Sequence, residues 1–529
     1  GDMDLAKAYL RPDAASSVQL IEADGGEAEL RLQLRGYLSG DEEENNPSAT
    51  DAIAAHLFKH LRGSDNLVFA GARQRVEIYA DRLRELCERE HLPQEFYPHH
   101  ASLSREHRDF VERRLKDPAR PTTAVCTSTL ELGIDISDVT CVAQIGAPFS
   151  VAALRQRLGR SGRREGQPAI LRQYAVEAKL TPESSFVDRL RLGLIRSIAM
   201  IDLLLEGWCE PPKPQALHLS TLVHQILSVI AQRGGASASV VYNVLCREGP
   251  FRKVTTEVFA DVLRAIGHPE TGLIEQAGSG LLLLGKTGER LVEHYSFYAV
   301  FQTPEEFRLV AEGRDLGTLP IDNVLAPGML LIFSGRRWVV QEIHDREKVI
   351  IVKPAKAGVP PVFGGDAGDI HDKVIDRMFA VLEGDSSPAY MDTVSLMMLE
   401  EARAHYEQLR FRANNIHSIG EHTSVIATRV GTVKTSTLAL ALRSEGFSVE
   451  QHDGFLIVEA GDETPDLRSA LEDIRSGAPV DLFAGAGNLI SDKFHQFLTI
   501  ELLVRDAESS KLSTQALPDL VKAILQKGT

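Results

Sequence analysis

The sequence predicts a multidomain chain in which α/β, α and β parts follow one another: a parallel-sheet lobe, a helical stretch, a β-rich stretch and a helix-rich end. Three observations predict it. The 529 residues are enough for about three or four domains of ordinary size. Residues 51–182 alternate short apolar strands with amphipathic helices, the pattern of a parallel sheet. Beyond them the periodicity turns helical, then to short strands, then to helix again.

The elements follow in order. Ala28 to Leu34 alternates apolar and polar residues and reads as an edge strand, ending in the acidic linker Gly40-Asp41-Glu42-Glu43-Glu44-Asn45-Asn46-Pro47. Ile53–Leu61 is an amphipathic helix, Asn66–Ala70 a buried strand and Arg75–Glu88 a helix. Thr123–Thr127 and Val139–Ile145 are further buried strands. Such a sheet carries its functional loops at the carboxyl ends of its strands. Phe186–Glu206 reads as one helix with Leu190, Leu194 and Ile198 on its apolar face, stopped by Trp208-Cys209-Glu210-Pro211-Pro212. Residues 216–290 combine short helices with a Gly-rich hairpin at 278–284, the proportions of a winged helix. From Tyr298 to Val362 short strands dominate, turning at Gly335-Arg336-Arg337. After Gly368 helices return, with one hairpin at Phe447–Val458 turning through His452-Asp453-Gly454. The expected division is 1–50 (connection and acidic linker), 51–182, 183–296, 297–375 and 376–529.

Hydrophobic residues make up 43% and charged residues 25%, a globular balance that excludes disorder as the main state. Lys plus Arg number 58 against 74 Asp plus Glu, a formal charge of −16. Nucleic-acid contacts, if made, must therefore use local basic patches rather than a general positive field. The five cysteines are scattered, with no Cys-x-x-Cys pair, which argues against a disulfide framework or a zinc site and fits a reducing cytoplasm. No apolar run approaches the roughly 18 residues of a membrane span, so no membrane partner is expected. Gly1-Asp2 ahead of Met3 reads as a cloning remnant and points to a trimmed chain.

The chemistry concentrates between Asn66 and Arg164. Gln156-Arg157-Leu158-Gly159-Arg160-Ser161-Gly162-Arg163-Arg164 sets Arg160 and Arg163 three apart, on one face if the segment is helical. Gly159 and Gly162 beside them leave room for a bulky anion. Two permanently charged, planar guanidiniums suit charge stabilisation on a transferring phosphoryl group, or else form a solvated basic face. Thr127-Ser128-Thr129 follows a buried strand, where anions bind in open sheets; the alternative is that Ser128 or Thr129 caps a helix. Asp135 lies close behind, able to orient a ribose, a water or the arginines. Gly71-Ala72-Arg73 follows the strand at Asn66, and His99-His100 to Arg108 comes between.

Taken in chain order, these four blocks resemble motifs IV, IVa, V and VI of superfamily 2 helicases. The wording Thr-Ser-Thr-Leu-Glu-Leu-Gly-Ile-Asp-Ile, then Gln144-Ile145-Gly146-Ala147-Pro148-Phe149-Ser150-Val151, then Gln-Arg-Leu-Gly-Arg-Ser-Gly-Arg, resembles the Lhr-type (large helicase-related) family. So do Glu206–Pro212, Tyr298-Ala299-Val300-Phe301, Gly335-Arg336-Arg337-Trp338, Val349–Pro354 and, further on, Gly431-Thr432, Thr437–Leu440 and Gly446-Phe447. The resemblance implies a RecA-like lobe followed by a winged helix, a β-rich domain and a helix-rich C-terminal region. It implies an ATP-driven translocase that moves 3′ to 5′ on single-stranded nucleic acid and unwinds duplexes. By motif, Arg160 and Arg163 would be arginine fingers with Gln156 in support, and Gly133 and Asp135 would line the nucleotide. Gly71, Arg73, His100, Ser128 and Thr129 would face the strand backbone, with Trp338 or Trp208 as a stacking platform. ATP and Mg²⁺ would sit at an interface with a first RecA-like lobe.

Of that first lobe's motifs, the Gly-x-x-x-x-Gly-Lys-Thr spacing occurs once, from Gly280 to Thr287, but it runs through the expected Gly-rich hairpin rather than following a buried parallel strand, and no Asp-Glu-x-His or Asp-Glu-Ala-Asp quartet occurs. The chain is therefore expected to be a C-terminal portion that binds neither ATP nor Mg²⁺ tightly alone. Its expected partners are single-stranded DNA or an RNA–DNA hybrid, and a first lobe in cis or in trans. The reading from another class is a catalytically silent nucleic-acid-binding or scaffold protein derived from a helicase.

Overall fold

The computed structural model of the chain describes residues 3–21, 29–40, 48–100, 105–131, 139–162, 166–212, 216–300, 306–311, 314–320, 327–328, 330–333, 336–345, 347–354, 368–461, 464–477, 482 and 489–526. After helix α1 (Met3–Leu10), six strands form one parallel sheet: β1 (Leu30–Ser39), β2 (Asn66–Phe69), β3 (Phe96–His99), β4 (Thr123–Cys126), β5 (Cys141–Ile145) and β6 (Ala169–Ala178). Their order is β1-β6-β5-β2-β4-β3. β2, β4 and β5 are buried along their whole length, which explains why their sequences lack alternation. Helices α2 (Ala49–Leu61), α3 (Arg73–Arg89), α4 (Arg105–Leu115) and α5 (Val151–Leu158) flank the sheet. The pleat divides the strands between two cores: Leu67 and Phe69 point into one, Val68 and Ala70 into the other.

β1 belongs to this sheet rather than to a separate connection. It pairs with β6 from Leu30 opposite Ala169 to Ser39 opposite Ala178. It is an edge strand, as its alternation predicts, yet the edge is covered. Leu34 N donates to the Tyr390 carbonyl at 2.8 Å, and Asp392 N donates to the Leu34 carbonyl at 3.0 Å. The single helix expected over Phe186–Glu206 is two, α6 (Phe186–Leu190) and α7 (Leu192–Leu205), broken at Arg191 with φ 52°. That conformation costs about 1–2 kcal/mol in a non-glycine residue. It lets the Arg191 guanidinium bond the Ala178 carbonyl and Glu401 inside the protein.

The next unit holds α8 (Leu219–Arg233), β7 (Ala236–Ser237), α9 (Ala238–Tyr242), α10 (Thr256–Ile266), β8 (Ile274–Gln276), β9 (Leu281–Leu284) and α11 (Lys286–Glu293). Its three strands run in the order β7-β9-β8. A five-stranded sheet follows, from β10 (Glu306–Ala311), β11 (Arg314–Pro320), β12 (Leu330–Phe333), β13 (Arg336–His344) and β14 (Val349–Pro354).

The C-terminal region has the expected helices, α12 (Asp372–Glu383) and α13 (Thr393–Gln408) first. It also has a four-stranded antiparallel sheet that a reading as helices with one hairpin does not contain. β15 (Ile416–Ser418) and β16 (Thr423–Ala427) join the expected hairpin β17 (Ser448–His452) and β18 (Phe455–Glu459), around α14 (Thr432–Ser444). β15 has three residues and β16 five, too short for a periodicity to show. Helices α15 (Leu467–Arg475), α16 (Ile500–Lys511) and α17 (Leu517–Gln526) complete the region. α12 and α13 share one apolar core with α7 and the sheet, while residues 489–507 pack into the core of the α8 unit. Buried Asp506 ties that second contact, accepting from Leu219 N at 3.0 Å and facing His495 Nε2 at 3.0 Å. Among the described residues no helix is long and apolar enough to cross a membrane.

Candidate nucleotide and strand site

The carboxyl ends of β2, β3, β4 and β5 bring the motif blocks to one rim. Gly71 turns the chain from β2 into α3 at φ +76°, with nothing within 4 Å of where a Cβ would stand. Its requirement is conformational. Arg73 opens α3 and is exposed, as is Arg75, whose Nη1 would lie 3.5 Å from a Cβ on Gly146 after β5. These guanidiniums form a local basic rim on an acidic chain.

β4 leads into a 3-10 turn at Ser128–Leu130, and its leading residue makes no side-chain cap. Neither hydroxyl of the Ser-Thr pair is a helix cap. Ser128 is exposed. The Thr129 hydroxyl donates to the His99 carbonyl at 3.2 Å and lies 2.9 Å from His99 Nδ1. His99 Nε2 faces Glu112 of α4 at 3.3 Å. His99, not singled out by its sequence context, thus joins the IVa-like block to the V-like block. His100, expected to face a strand backbone, is buried with Nε2 2.7 Å from Glu77 of α3. It braces the rim from within, because the strand alternation that aims one neighbour into the protein leaves the other to close against α3.

The arginine block differs most from expectation. Helix α5 ends at Leu158 with Gly159 as its C-cap, so Arg160 lies beyond the helix. The residue is 9% exposed and its guanidinium is turned into its own lobe, Nη2 donating to the Glu131 carbonyl at 2.8 Å. Gly162 does not clear space for a ligand. A Cβ there would stand 2.7 Å from Ala169 N, and φ is +73°. The missing side chain serves the close approach of β6. Gly159 is similarly tight, 3.3 Å from the Arg155 carbonyl. Gln156 is exposed on α5.

Arg157 is the residue the sequence reading passes over. Only 3% exposed, it donates from Nε and Nη2 to Glu131 Oε2 at 3.0 and 2.7 Å, and from Nη1 to Gln144 Oε1 at 2.6 Å. Its guanidinium carbon sits 4.7 Å from the Phe69 ring centroid. Glu131 therefore holds the V-like and VI-like blocks together, through its carboxylate to Arg157 and its carbonyl to Arg160. The available signal was periodicity: 151, 154 and 157 share the buried face of α5. Glu210, from the Trp-Cys-Glu-Pro-Pro stop, accepts from Val151 N at 2.8 Å and Ala152 N at 2.9 Å. Ser150 accepts from Ala153 N, so the first turn of α5 is satisfied internally.

Arg163, Gly133 and Asp135 lie outside the described residues. Trp338 is not a stacking platform: it is 7% exposed within the core of the five-stranded sheet. β-sheet alternation turns it inward, leaving no open ring face for a base. Trp208 is half-buried, with Lys373 Nζ 5.0 Å from its ring centroid. The Gly285-Lys286-Thr287-Gly288 segment cannot cradle phosphate. Its Gly285 and Thr287 amides donate to the Leu273 and Gly272 carbonyls at 2.9 and 3.0 Å. Among the described residues no three His, Cys, Asp or Glu side chains gather as a metal site.

Among the described residues the donor set is guanidinium, hydroxyl and amide, without clustered carboxylates. It fits the phosphate end of a nucleotide or a phosphodiester strand and does not fit a magnesium ion. Comparison with known proteins agrees. Residues 49–165 match the helicase conserved C-terminal domain. The chain is 25% identical over 294 residues to Lhr helicase/uracil glycosylase of Escherichia coli, covering 51% of this chain and 18% of that protein. It is 25% identical over 324 residues to ATP-dependent helicase Lhr-Core of Methanocaldococcus jannaschii, covering 57% of this chain and 36% of that one. In fold it is similar to Mycobacterium smegmatis helicase Lhr, solved with ssDNA and AMP-PNP: TM-score 0.63 at 18% identity, covering 94% of this chain and 68% of that one. The matches thus span about a fifth to a third of the length of these curated relatives. With its motif blocks at one rim of a parallel sheet, the chain carries a helicase conserved C-terminal domain on a RecA-like lobe and is similar to the Lhr-type superfamily 2 helicases.

Proposed function

We propose that this chain supplies the second motor lobe and part of the strand-binding surface of an ATP-driven translocase that unwinds nucleic acid. The observation that carries the reading is the Glu131 junction, which couples the strand-facing loop Ser128–Thr129 to the arginine segment through Arg157 and Arg160. A shift of one must move the other. Gly71, Arg73, Ser128 and Thr129 present amides, a guanidinium and hydroxyls to the phosphate backbone, which positions a strand without reading its bases. ATP and Mg²⁺ would lie between this lobe and a first lobe, which supplies the phosphate cradle and metal ligands in cis or in trans. When bound, ATP supplies the free energy of phosphoryl transfer. For its part, Arg160 releases the Glu131 carbonyl and turns its guanidinium toward the developing charge, with Arg163 and Gln156 beside it and Gly133 and Asp135 lining the nucleotide. Single-stranded DNA or an RNA–DNA hybrid is the substrate. The α8–α11 unit acts as a winged helix, and its β8–β9 hairpin is a candidate wedge.

The test is single-strand binding and ATP hydrolysis by the purified chain, alone and with a first lobe added. Strand binding without turnover alone, and strand-stimulated turnover on reassembly, is the expected result. In the reassembled enzyme Arg160→Ala should keep strand binding and lose roughly 10³-fold in hydrolysis. Equal hydrolysis in that variant would remove the finger role, and binding with no turnover in any assembly would favour a silent scaffold.

A further inference from the structure

Away from the motif rim, the face that β1, β6 and α2 share gathers positive charge with little to neutralise it. Arg35 and Tyr37 of β1 project to the same side as Arg172 and Tyr174 of β6, Gln33 standing opposite Arg172 and Arg35 opposite Tyr174 in the register. His56, Lys59 and His60 approach from α2. The two imidazoles stand 4.3 Å apart, centroid to centroid. His56 Nδ1 lies 2.9 Å from the Tyr174 hydroxyl, and Arg35 Nε donates to the Tyr37 hydroxyl at 3.2 Å. Among the described residues one carboxylate is near: Asp392, at the start of α13, 3.7 Å from Arg35. Arg172 bonds Gln33, a neutral partner, and its Nε is buried without one. Among the described residues no carboxylate pairs with Arg172, Lys59 or His60.

Burial, then the charges of Arg35, His60, Arg172 and Lys59, push the His56 pKa down to about 4. His60 is lowered by burial and by Arg172, Lys59 and Arg35. Both rings are therefore neutral at pH 7, with His56 Nδ1 hydrogen-bonded to the Tyr174 hydroxyl. The remaining groups on this face are Tyr37 and Tyr174, both raised by burial and uncharged, and the buried Cys141 of β5 beside Arg172. On a chain of net charge −16, this face is locally basic.

We propose that this face is a second phosphate-binding surface, holding the phosphodiester backbone of a nucleic-acid strand apart from the motif rim. The proposal rests on the reading that the chain binds nucleic acid. Arg172, Arg35 and Lys59 meet the phosphates, and an arriving anion raises the pKa of His56 and His60 so that they take up protons. Binding at this face therefore tightens as pH falls below neutral.

The test is the affinity of the full chain for labelled single-stranded DNA, by fluorescence anisotropy, across salt and at about pH 6 and pH 8. The variant is Lys59→Gln/His60→Gln, two exposed positions at the end of α2, with Arg73→Ala on the motif rim as comparator. The expected result is severalfold weaker binding in the double variant, a smaller gain on acidification, and a salt slope reduced by about 0.7 for each phosphate no longer neutralised. Unchanged affinity, slope and pH response in the double variant, beside weakened binding by Arg73→Ala, overturns this proposal alone. No strand binding by the unaltered chain overturns both readings. Displacement by inorganic phosphate at the same phosphate concentration as the oligonucleotide would assign the site to a free oxyanion and overturn the strand.

Discussion

Arg157 joins three pieces of the lobe: Glu131 after β4, Gln144 on β5 and the Phe69 ring at the end of β2. A buried cation so held is costly to interrupt, because removing it leaves the Glu131 carboxylate, 11% exposed, without its partner. Arg157→Ala should lower stability by about 3–5 kcal/mol, measured as a shift in the denaturant midpoint. A shift below about 1 kcal/mol would mean that water replaces the pair. Arg160 and Arg157 were equally visible as letters in one block. What separates them is the pair of partners they meet, and those arrive from a strand and a loop distant in the chain. Local pattern selects the block; only the partners decide that Arg157 holds the Glu131 carboxylate and Arg160 its carbonyl.

At the scale of elements, β6 meets the start of α7 through Glu177, whose Oε1 accepts from Leu194 N at 2.7 Å. A Cβ on Gly193 would stand 2.9 Å from that same oxygen, so the glycine makes the approach possible. Burial pushes the Glu177 carboxyl up to about 7, against the lowering effects of the Leu194 amide, Arg191 and Arg196. The folded protein therefore holds this proton between about pH 4.5 and pH 7, where the unfolded chain has released it. From this group, stability falls as pH rises through that window and stays low above it. Glu177→Gln should abolish this slope and raise stability at about pH 8, on the order of 3 kcal/mol at most. Unfolding curves at several pH values check it; an unaltered slope would exclude Glu177 as its source. Elements of this size were readable where they were long and periodic. The break at Arg191 was not, since it depends on Glu401, 210 residues away.

At the scale of the whole molecule, the C-terminal region is clasped to the lobe at the turn of the β17–β18 hairpin. Asp453 Oδ2 accepts from Arg196 Nη1 of α7 at 2.8 Å. Gly454, at φ +76°, lies so near α12 that a Cβ would stand 2.7 Å from Ile375 Cγ2 and 2.8 Å from Phe379 Cε2. Gly454→Ala should therefore cost about 2–4 kcal/mol, from left-handed strain plus overpacking. Thermal melting checks it, and an unchanged melting temperature would show that the hairpin moves away freely. The C-terminal region also caps the β1 edge through Tyr390 and Asp392 and reaches the α8 unit through Asp506. Lobe and C-terminal region share one core rather than being separate domains in series.

By itself the sequence determined the succession of α/β, helical and β-rich parts, the strand-end placement of the motif blocks and the helicase kinship. Each of these resides in local periodicity or in short spans of residues. Tertiary structure alone decided that β1 completes the sheet, that Trp338 and His100 turn inward, and that Gly162 makes room for Ala169 rather than for a ligand. It alone gathered the basic face of α2, β1 and β6. In every such case the deciding neighbour lies elsewhere in the chain, and close packing or a buried charge, not local propensity, sets the outcome.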